Sequence, residues 1–309
     1  LGERLVRNEE VASSILVRST KRRKPIGRTN FSFVPVACCP YCGSALFKKD
    51  GVANGRQRLR CKGCGRTFNA LTGTMLAKTR KGEEKWEDYV VQFTNDATLI
   101  AEHEYGAINK NTAHLWRLKM MRCLGALVSE AVLSGHVWID EIYFDVPKND
   151  KVSGPGWRLL RGISRNKVAV EAAIDEYGNT YAAVMGTGKP TSEMISEALA
   201  GHISPGSVIV HDKFHGHGDF IRESGLADIS GGSQEPGYLE LMQRANQFSA
   251  LIKRVFVLHV GIGRAHIQDY LNWACMRQRL RAVKPGKRKK YLLCLCASTG
   301  VDFVRPRKK

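Results

Sequence analysis

The sequence predicts an α/β protein: a mixed sheet with flanking helices, preceded by a small cysteine-rich hairpin module and a helical segment. Three observations predict it. Two Cys-x-x-Cys-Gly knuckles lie close together near the N-terminus. Residues 86–127 space their apolar side chains as helices do. Beyond them, apolar runs of strand length are joined first by turns and then by a helix. The chain has 309 residues and is 43% hydrophobic, enough to bury a core, so wholesale disorder is excluded.

Lys and Arg number 48 against 29 Asp and Glu, a formal net charge of +19. So basic a balance calls for a polyanionic partner. Nucleic acid fits better than an anionic membrane surface, because no basic amphipathic helix stands out. No apolar run approaches the roughly 18–20 residues that span a bilayer, and no signal-peptide pattern opens the chain. A soluble, cytoplasmic protein without membrane contact is expected. The positive excess concentrates in residues 274–309, where twelve Lys/Arg face one acid, Asp302. Runs 284–290 and 305–309 supply most of it, and 283–309 reads as a basic tail. Residues 1–35, with the basic cluster 21–24, read as an arm. The chain begins with Leu1, and residues 7–20 look like the conceptual translation of a tRNA gene's 3′ half. An upstream-extended reading frame is therefore expected, against the plainer reading of a short amphipathic arm.

Residues 36–75 form the first patterned module. Cys39-Pro-Tyr-Cys42-Gly and Cys61-Lys-Gly-Cys64-Gly are separated by eighteen residues that read as a hairpin. Two residues between thiolates let both sulfurs of a tight turn face one ion, and four soft ligands suit tetrahedral Zn²⁺. A structural zinc ribbon is expected. Cys38 is a spare thiol. Cys123, Cys275, Cys294 and Cys296 have no partner pair at such spacing and read as small apolar residues, with Cys294 and Cys296 on a short strand. Arg56, Arg58 and Arg60 on the hairpin, with Asp50 the one nearby acid, point to DNA contact.

Residues 80–130 follow as a helical segment. A helix ending at Gly106 precedes Asn109-Lys-Asn-Thr112, which offers capping side chains to a second helix. This is a helix-turn-helix outline, which also occurs in proteins that never touch DNA. The second helix would present Lys110, Asn111, His114, Arg117 and Lys119 to a groove, with Trp116 in the core.

Residues 134–282 carry the sheet. His136-Val-Trp-Ile-Asp-Glu-Ile-Tyr-Phe144 reads as a central strand, so Asp140 and Glu141 face opposite sides. A carboxylate on such a strand is costly without a cation or donor beside it, which marks Asp140 as a metal ligand. Residues 159–164, 167–174 and 180–185 follow, and with Asp140's strand as its start this reads as an antiparallel three-strand meander, with Asp175 and Glu176 in a turn. A helix capped by Thr191 precedes a buried strand that ends in a second acid, Asp212. A long helix over residues 238–258 carries Asn246 and Lys253, two turns apart on one face. Gly261-Ile-Gly263 breaks it, and basic helix 264–281 resumes with Arg264. His215-Gly-His217 reads as a glycine-loosened loop rather than a metal pair. His211 reads as structural, and His259 and His266 as helix-surface or packing residues. Gly186-Thr-Gly188-Lys189 lacks phosphate-loop spacing and reads as a turn.

The element order is that of RNase H-like folds. The whole resembles insertion-sequence DDE transposases with an N-terminal zinc ribbon. The resemblance rests on Cys39-Pro-Tyr-Cys-Gly, Arg60-Cys-Lys-Gly-Cys-Gly-Arg-Thr-Phe, Thr112-Ala-His-Leu-Trp-Arg117, Asp140-Glu-Ile-Tyr-Phe144, Val210-His-Asp212, Asn246 through Lys253, and His266-Ile-Gln-Asp-Tyr-Leu-Asn-Trp273. It covers about residues 36–282. It implies Asp140 and Asp212 as acids holding two Mg²⁺ or Mn²⁺ ions, Asn246 in the third ligand position and Lys253 on DNA. It further implies a bacterial, nucleoid-associated enzyme that binds terminal inverted repeats and target DNA as a homo-oligomer, then cleaves and transfers strands. The general pattern has Glu where this chain has Asn246. An amide oxygen brings no charge, so weaker metal binding is expected, and Glu240 lies on the wrong helical face to replace it. The rival readings are an inactive, transposase-derived DNA-binding protein and a metal-dependent nuclease or resolvase on the same fold.

Overall fold

A computed structural model of the chain describes residues 36–53, 55–77, 79, 81–106, 108–146, 151–154 and 160–298. The expected arm 1–35 with its cluster 21–24, the start of the 159–164 run, and the tail beyond 298 with 305–309 lie outside the described residues. The chain divides into two units, Leu1–Cys123 with Lys284–Lys309, and Leu124–Val283.

In the first unit, β1 (Phe47–Ala53), β2 (Arg56–Cys61) and β3 (Thr67–Phe68) form an antiparallel sheet in that order. Its core is small: Cys39, Leu59, Cys61 and Phe68 are buried, with Phe47 edge-on to Phe68 at 5.6 Å. The helices that follow are α1 (Glu83–Thr94), α2 (Leu99–Gly106) and α3 (Lys110–Val128), of which residues 124–128 belong to the second unit. Buried Trp86, Tyr89, Val90 and Phe93 recur at the helical interval that puts them on one face of α1. Trp86 stacks on Trp116 of α3 with centroids 3.7 Å apart, so the expected core role of Trp116 holds. At the start of α3, the Asn109 side chain accepts from the Asn111 N–H at 2.9 Å.

The expected basic tail is in part a helix. Pro285–Ser298, here α9, buries Leu292, Leu293 and Cys296, and Lys289 pairs with Glu87 of α1 at 2.8 Å. Cys294 and Cys296 therefore lie on a helix and not on a strand. The charge run 284–290 hid the apolar turn behind it.

In the second unit, β4 (His136–Asp145), β5 (Lys167–Asp175), β6 (Thr180–Thr187), β7 (Val208–Asp212) and β8 (Ala227–Gly231) form one sheet in the order β6-β5-β4-β7-β8. Pairing is antiparallel between β4, β5 and β6, and parallel from β4 through β7 to β8. This mixed five-strand arrangement is consistent with an RNase H-like fold. Asp175 closes the β5–β6 turn, with Oδ1 accepting from the N–H groups of Tyr177 and Asn179. β8 gives only a weak sequence signal: Ala-Asp-Ile-Ser-Gly alternates, but over just two apolar positions, and all of it except Gly231 is exposed.

Alternation along β4 assigns the two faces. Val137 and Ile139 join Ile209, Ala173, Phe220 and Ile221 on one side, beneath α4 (Ser192–Leu199) and α5 (His215–Ser224). Trp138 joins Val210, Met242 and Ala245 on the other, beside α6 (Tyr238–Leu241) and α7 (Gln243–Leu258). The expected single helix over 238–258 is thus two helices, parted at Met242. The last helix of the unit, α8 (Ile267–Leu280), follows a short 3-10 turn at Arg264–His266.

Candidate functional site

Asp140 and Asp212 lie on neighbouring strands, β4 and β7, in the interior of the second unit's sheet. The last paired couple of β4 and β7 is Trp138 with Val210. Two residues further along each strand come Asp140 and Asp212, on the same face of these neighbouring strands. Burial raises Asp140's pKa and the Asp212 charge adds to the rise; the Ser249 hydroxyl and the Lys253 charge oppose it. Ser249, on α7, donates to Oδ2 of Asp140 at 2.8 Å. Asn246 and Lys253 lie one turn either side of Ser249, exposed on the same helix. Ser249 was missed from sequence; its only signal was its place between those two residues.

Asp212 is held differently. Its Oδ1 accepts from the Phe214 N–H at 3.1 Å and faces His217 Nδ1 at 3.6 Å. The His217 contact leads in lowering its pKa, against the effect of burial. The second oxygen of each aspartate receives no donor from the described residues. Two carboxylates, each with a free oxygen and sharing an open face, make a donor set that fits a hard divalent cation.

The expectation for His215 and His217 is corrected. They do not lie in a loop but open α5, and His217 is fully buried. Gly216 serves packing rather than flexibility. A Cβ there would come within 2.7 Å of Ile195 and 2.9 Å of the Phe214 ring. His217 Nε2 lies 3.5 Å from Glu141 and 3.4 Å from Glu171. Burial opposes the His217 charge, but Glu171, Asp212 and Glu141 outweigh it and lift the pKa to about 10. Burial raises Glu141 to about 8 and raises Glu171 too, with His217 pulling both down. His211 is buried beside Asp228 at 3.3 Å. One ring nitrogen each of His211 and His217 and a carboxylate oxygen of Asp212 lie within 4.8 Å of one another.

The ribbon gathers its four cysteines as the spacing predicts. Cys39, Cys42, Cys61 and Cys64 bring their sulfurs within 4.8 Å of one another. Cys39 and Cys64 Sγ are 3.7 Å apart, Cys42 and Cys61 3.5 Å. These separations are far beyond a disulfide's ~2.05 Å and near the ~3.8 Å edge of a tetrahedron with ~2.3 Å Zn–S bonds. The Gly63 N–H approaches Cys61 Sγ at 3.2 Å and that of Cys64 at 3.5 Å. The Cys64 N–H leads in lowering the Cys61 pKa to about 6, against burial. Such N–H···S contacts favour thiolates, the form that binds zinc. The cluster could hold Zn²⁺.

The residues expected to face DNA divide. Lys110, Asn111 and His114 are exposed on the first turns of α3, and Arg264 is exposed on its 3-10 turn. Arg117 is not on that surface. It is buried and pairs with Glu102 of α2 at 2.8 Å, because helical rotation turns it inward with Trp116 and Leu118. Lys119 is half-buried and donates to the Met75 carbonyl at 3.1 Å. Arg56 is half-buried and donates to the Thr79 carbonyl at 2.7 Å. Arg58 and Arg60 stay exposed but share Asp50, at 2.9 and 3.5 Å.

Among the described residues no helix is long and apolar enough to cross a membrane. No family model matches the chain, and neither does any curated protein. Among solved structures it is similar to a chain of the simian T-cell lymphotropic virus intasome in complex with PP2A regulatory subunit B56 gamma. Identity is 13% and the TM-score 0.31, over 46% of this chain and 48% of that one, so this chain spans about half of that relative's length. It is also similar to chains of the Mos1 mariner paired end complex with Mn and of a pre-cleavage Mos1 transpososome. Both are 13% identical, with TM-scores of 0.29 and 0.28, over 74% of this chain and 82% of theirs.

Proposed function

We propose that the chain is a DDE-type DNA transposase that binds the terminal inverted repeats of an insertion sequence and cleaves and transfers their strands. The observation that carries the reading is the pair Asp140 and Asp212, side by side on adjacent strands with an unengaged oxygen each and with Ser249 fixing Asp140. Asp140, Asp212 and the amide oxygen of Asn246 would hold Mg²⁺ or Mn²⁺, two ions in the resembling family. Bound there, a divalent cation supplies Lewis acidity and lowers the pKa of an attacking water or 3′-hydroxyl. Around that centre the chain's own groups orient DNA. Lys253, exposed one turn beyond Ser249, is a point charge for a phosphate. Lys110, Asn111, His114, Arg264 and the Asp50-tethered Arg58 and Arg60 supply backbone and groove contacts that favour double-stranded DNA. The ribbon's zinc is structural, and assembly on DNA is as a homo-oligomer.

The test is strand cleavage of a labelled element-end duplex in Mn²⁺. Asp140→Ala should lower the cleavage rate by at least about a thousandfold, the several kcal/mol a metal supplies, while end binding by gel shift stays unchanged. Cleavage at the original rate would remove the metal-site assignment. Binding without cleavage by the unaltered protein would favour a catalytically silent DNA-binding derivative.

A further inference from the structure

We infer that His217 is a positioning residue: it ties the Asp212 carboxylate to a buried glutamate pair, Glu141 and Glu171, on the opposite side of the sheet. The inference rests on the reading of Asp140 and Asp212 as metal ligands.

Glu141 and Glu171 are direct cross-strand partners on β4 and β5. By alternation with Ile139 and Ala173, both point under α4 and α5, into a layer of Val137, Ile139, Ile209, Phe220 and Ile221. Glu171 is fully buried and Glu141 nearly so. Two apolar side chains would pack such a layer better, and like acids directly opposed on neighbouring strands repel. For stability alone, this arrangement is a cost.

The His217 ring answers it. Its Nε2 edge lies between the two glutamates at 3.5 and 3.4 Å, and its Nδ1 edge faces Asp212 Oδ1 at 3.6 Å. Five buried polar atoms of this trio have no hydrogen bond of good geometry: both ring nitrogens, Glu141 Oε1 and both Glu171 oxygens. The ring is therefore held by charge and by the walls around it. Gly216 lets α5 come close enough to seat it. Asp212 closes the chain of contacts at the C-terminal end of β7, with Oδ1 turned to the imidazole and Oδ2 left for the open face. This is how an outer partner orients a carboxylate or imidazole ligand, and loss of such partners typically costs 10- to 100-fold in metal affinity.

The experiment measures Mn²⁺ binding by the full-length, zinc-loaded protein, from the electron paramagnetic resonance of free Mn²⁺, beside thermal unfolding of the metal-free state. His217→Phe should weaken Mn²⁺ binding at least tenfold. His217→Gln, which keeps a polar group at the ring position, should recover part of that loss. Ile195→Ala, in the same apolar layer, should lower thermal stability yet leave Mn²⁺ affinity within about twofold. If His217→Phe does not fold, Glu171→Gln decides, with a several-fold weakening expected. Unchanged affinity in the deciding variant, while Asp140→Ala abolishes binding, overturns the inference and leaves the metal-site reading standing. Unchanged affinity in Asp140→Ala as well overturns that reading itself.

Discussion

Two carboxylate groupings in this molecule are built in opposite ways. Glu102, in the helical unit, is wholly buried and meets a buried cation of the chain's own, Arg117, at 2.8 Å. Asp140 and Asp212, in the sheet unit, are half-buried on neighbouring strands; their close partners are a hydroxyl, an N–H and an imidazole, and Lys253 reaches Asp140 only as a nearby charge. The first is sealed and neutralised from within. The second leaves negative charge turned outward, toward something that must arrive. A buried pair costs desolvation whichever side supplies the cation. What differs is whether the protein completes the pair itself.

The largest effect should come from unsealing the first grouping. Arg117→Met leaves Glu102 buried without its cation and should cost about 3–5 kcal/mol of unfolding free energy in denaturant melts, while Mn²⁺ affinity stays as it was. A change in Mn²⁺ affinity would break the contrast. Next comes pH. Burial lifts Glu102 from 4.5 to about 7, although Arg117 pulls it down. The folded state then holds more protons than the unfolded state between those values. The stability linked to this group is complete below about pH 4.5 and lost as pH rises through about 7, some 3 kcal/mol in all. Relative to wild type, Glu102→Gln should lack that decline; parallel pH profiles for the two proteins would contradict it. The smallest effect sharpens the second grouping. Asn246→Asp adds a charge where the chain has an amide and should tighten Mn²⁺ binding about tenfold, roughly 1.4 kcal/mol. Equal affinity would place residue 246 outside the metal's reach.

Legibility followed locality. The ribbon could be read from its spacing because each pair of cysteines shares one tight turn, and the fold has only to bring two turns together. Asp140 and Asp212 could be read because each sits in a short apolar run where an acid is out of place. Arg117 misled because the sign of a charge says nothing of the side of a helix. Its neighbours Trp116 and Leu118 carried the signal, since a residue between two core positions is not free to face a groove. His217 misled because glycines usually loosen a chain, whereas Gly216 makes room for a neighbouring helix. Glu171 had no local signature beyond being an acid in the middle of an alanine-rich strand. Its meaning depends on Glu141 opposite it, and pairing across strands is set by topology rather than by sequence neighbours.

Strand β4 carries adjacent acids into two different chemistries, Asp140 beside Ser249 and Glu141 beside His217. Their separation depends on nothing but parity. One residue inserted or deleted between Trp138 and Asp140 would bring the longer acid round to the Ser249 side and send the shorter one toward the imidazole. Homologues that keep this centre should therefore tolerate changes of side chain along the strand far more readily than any change in its length.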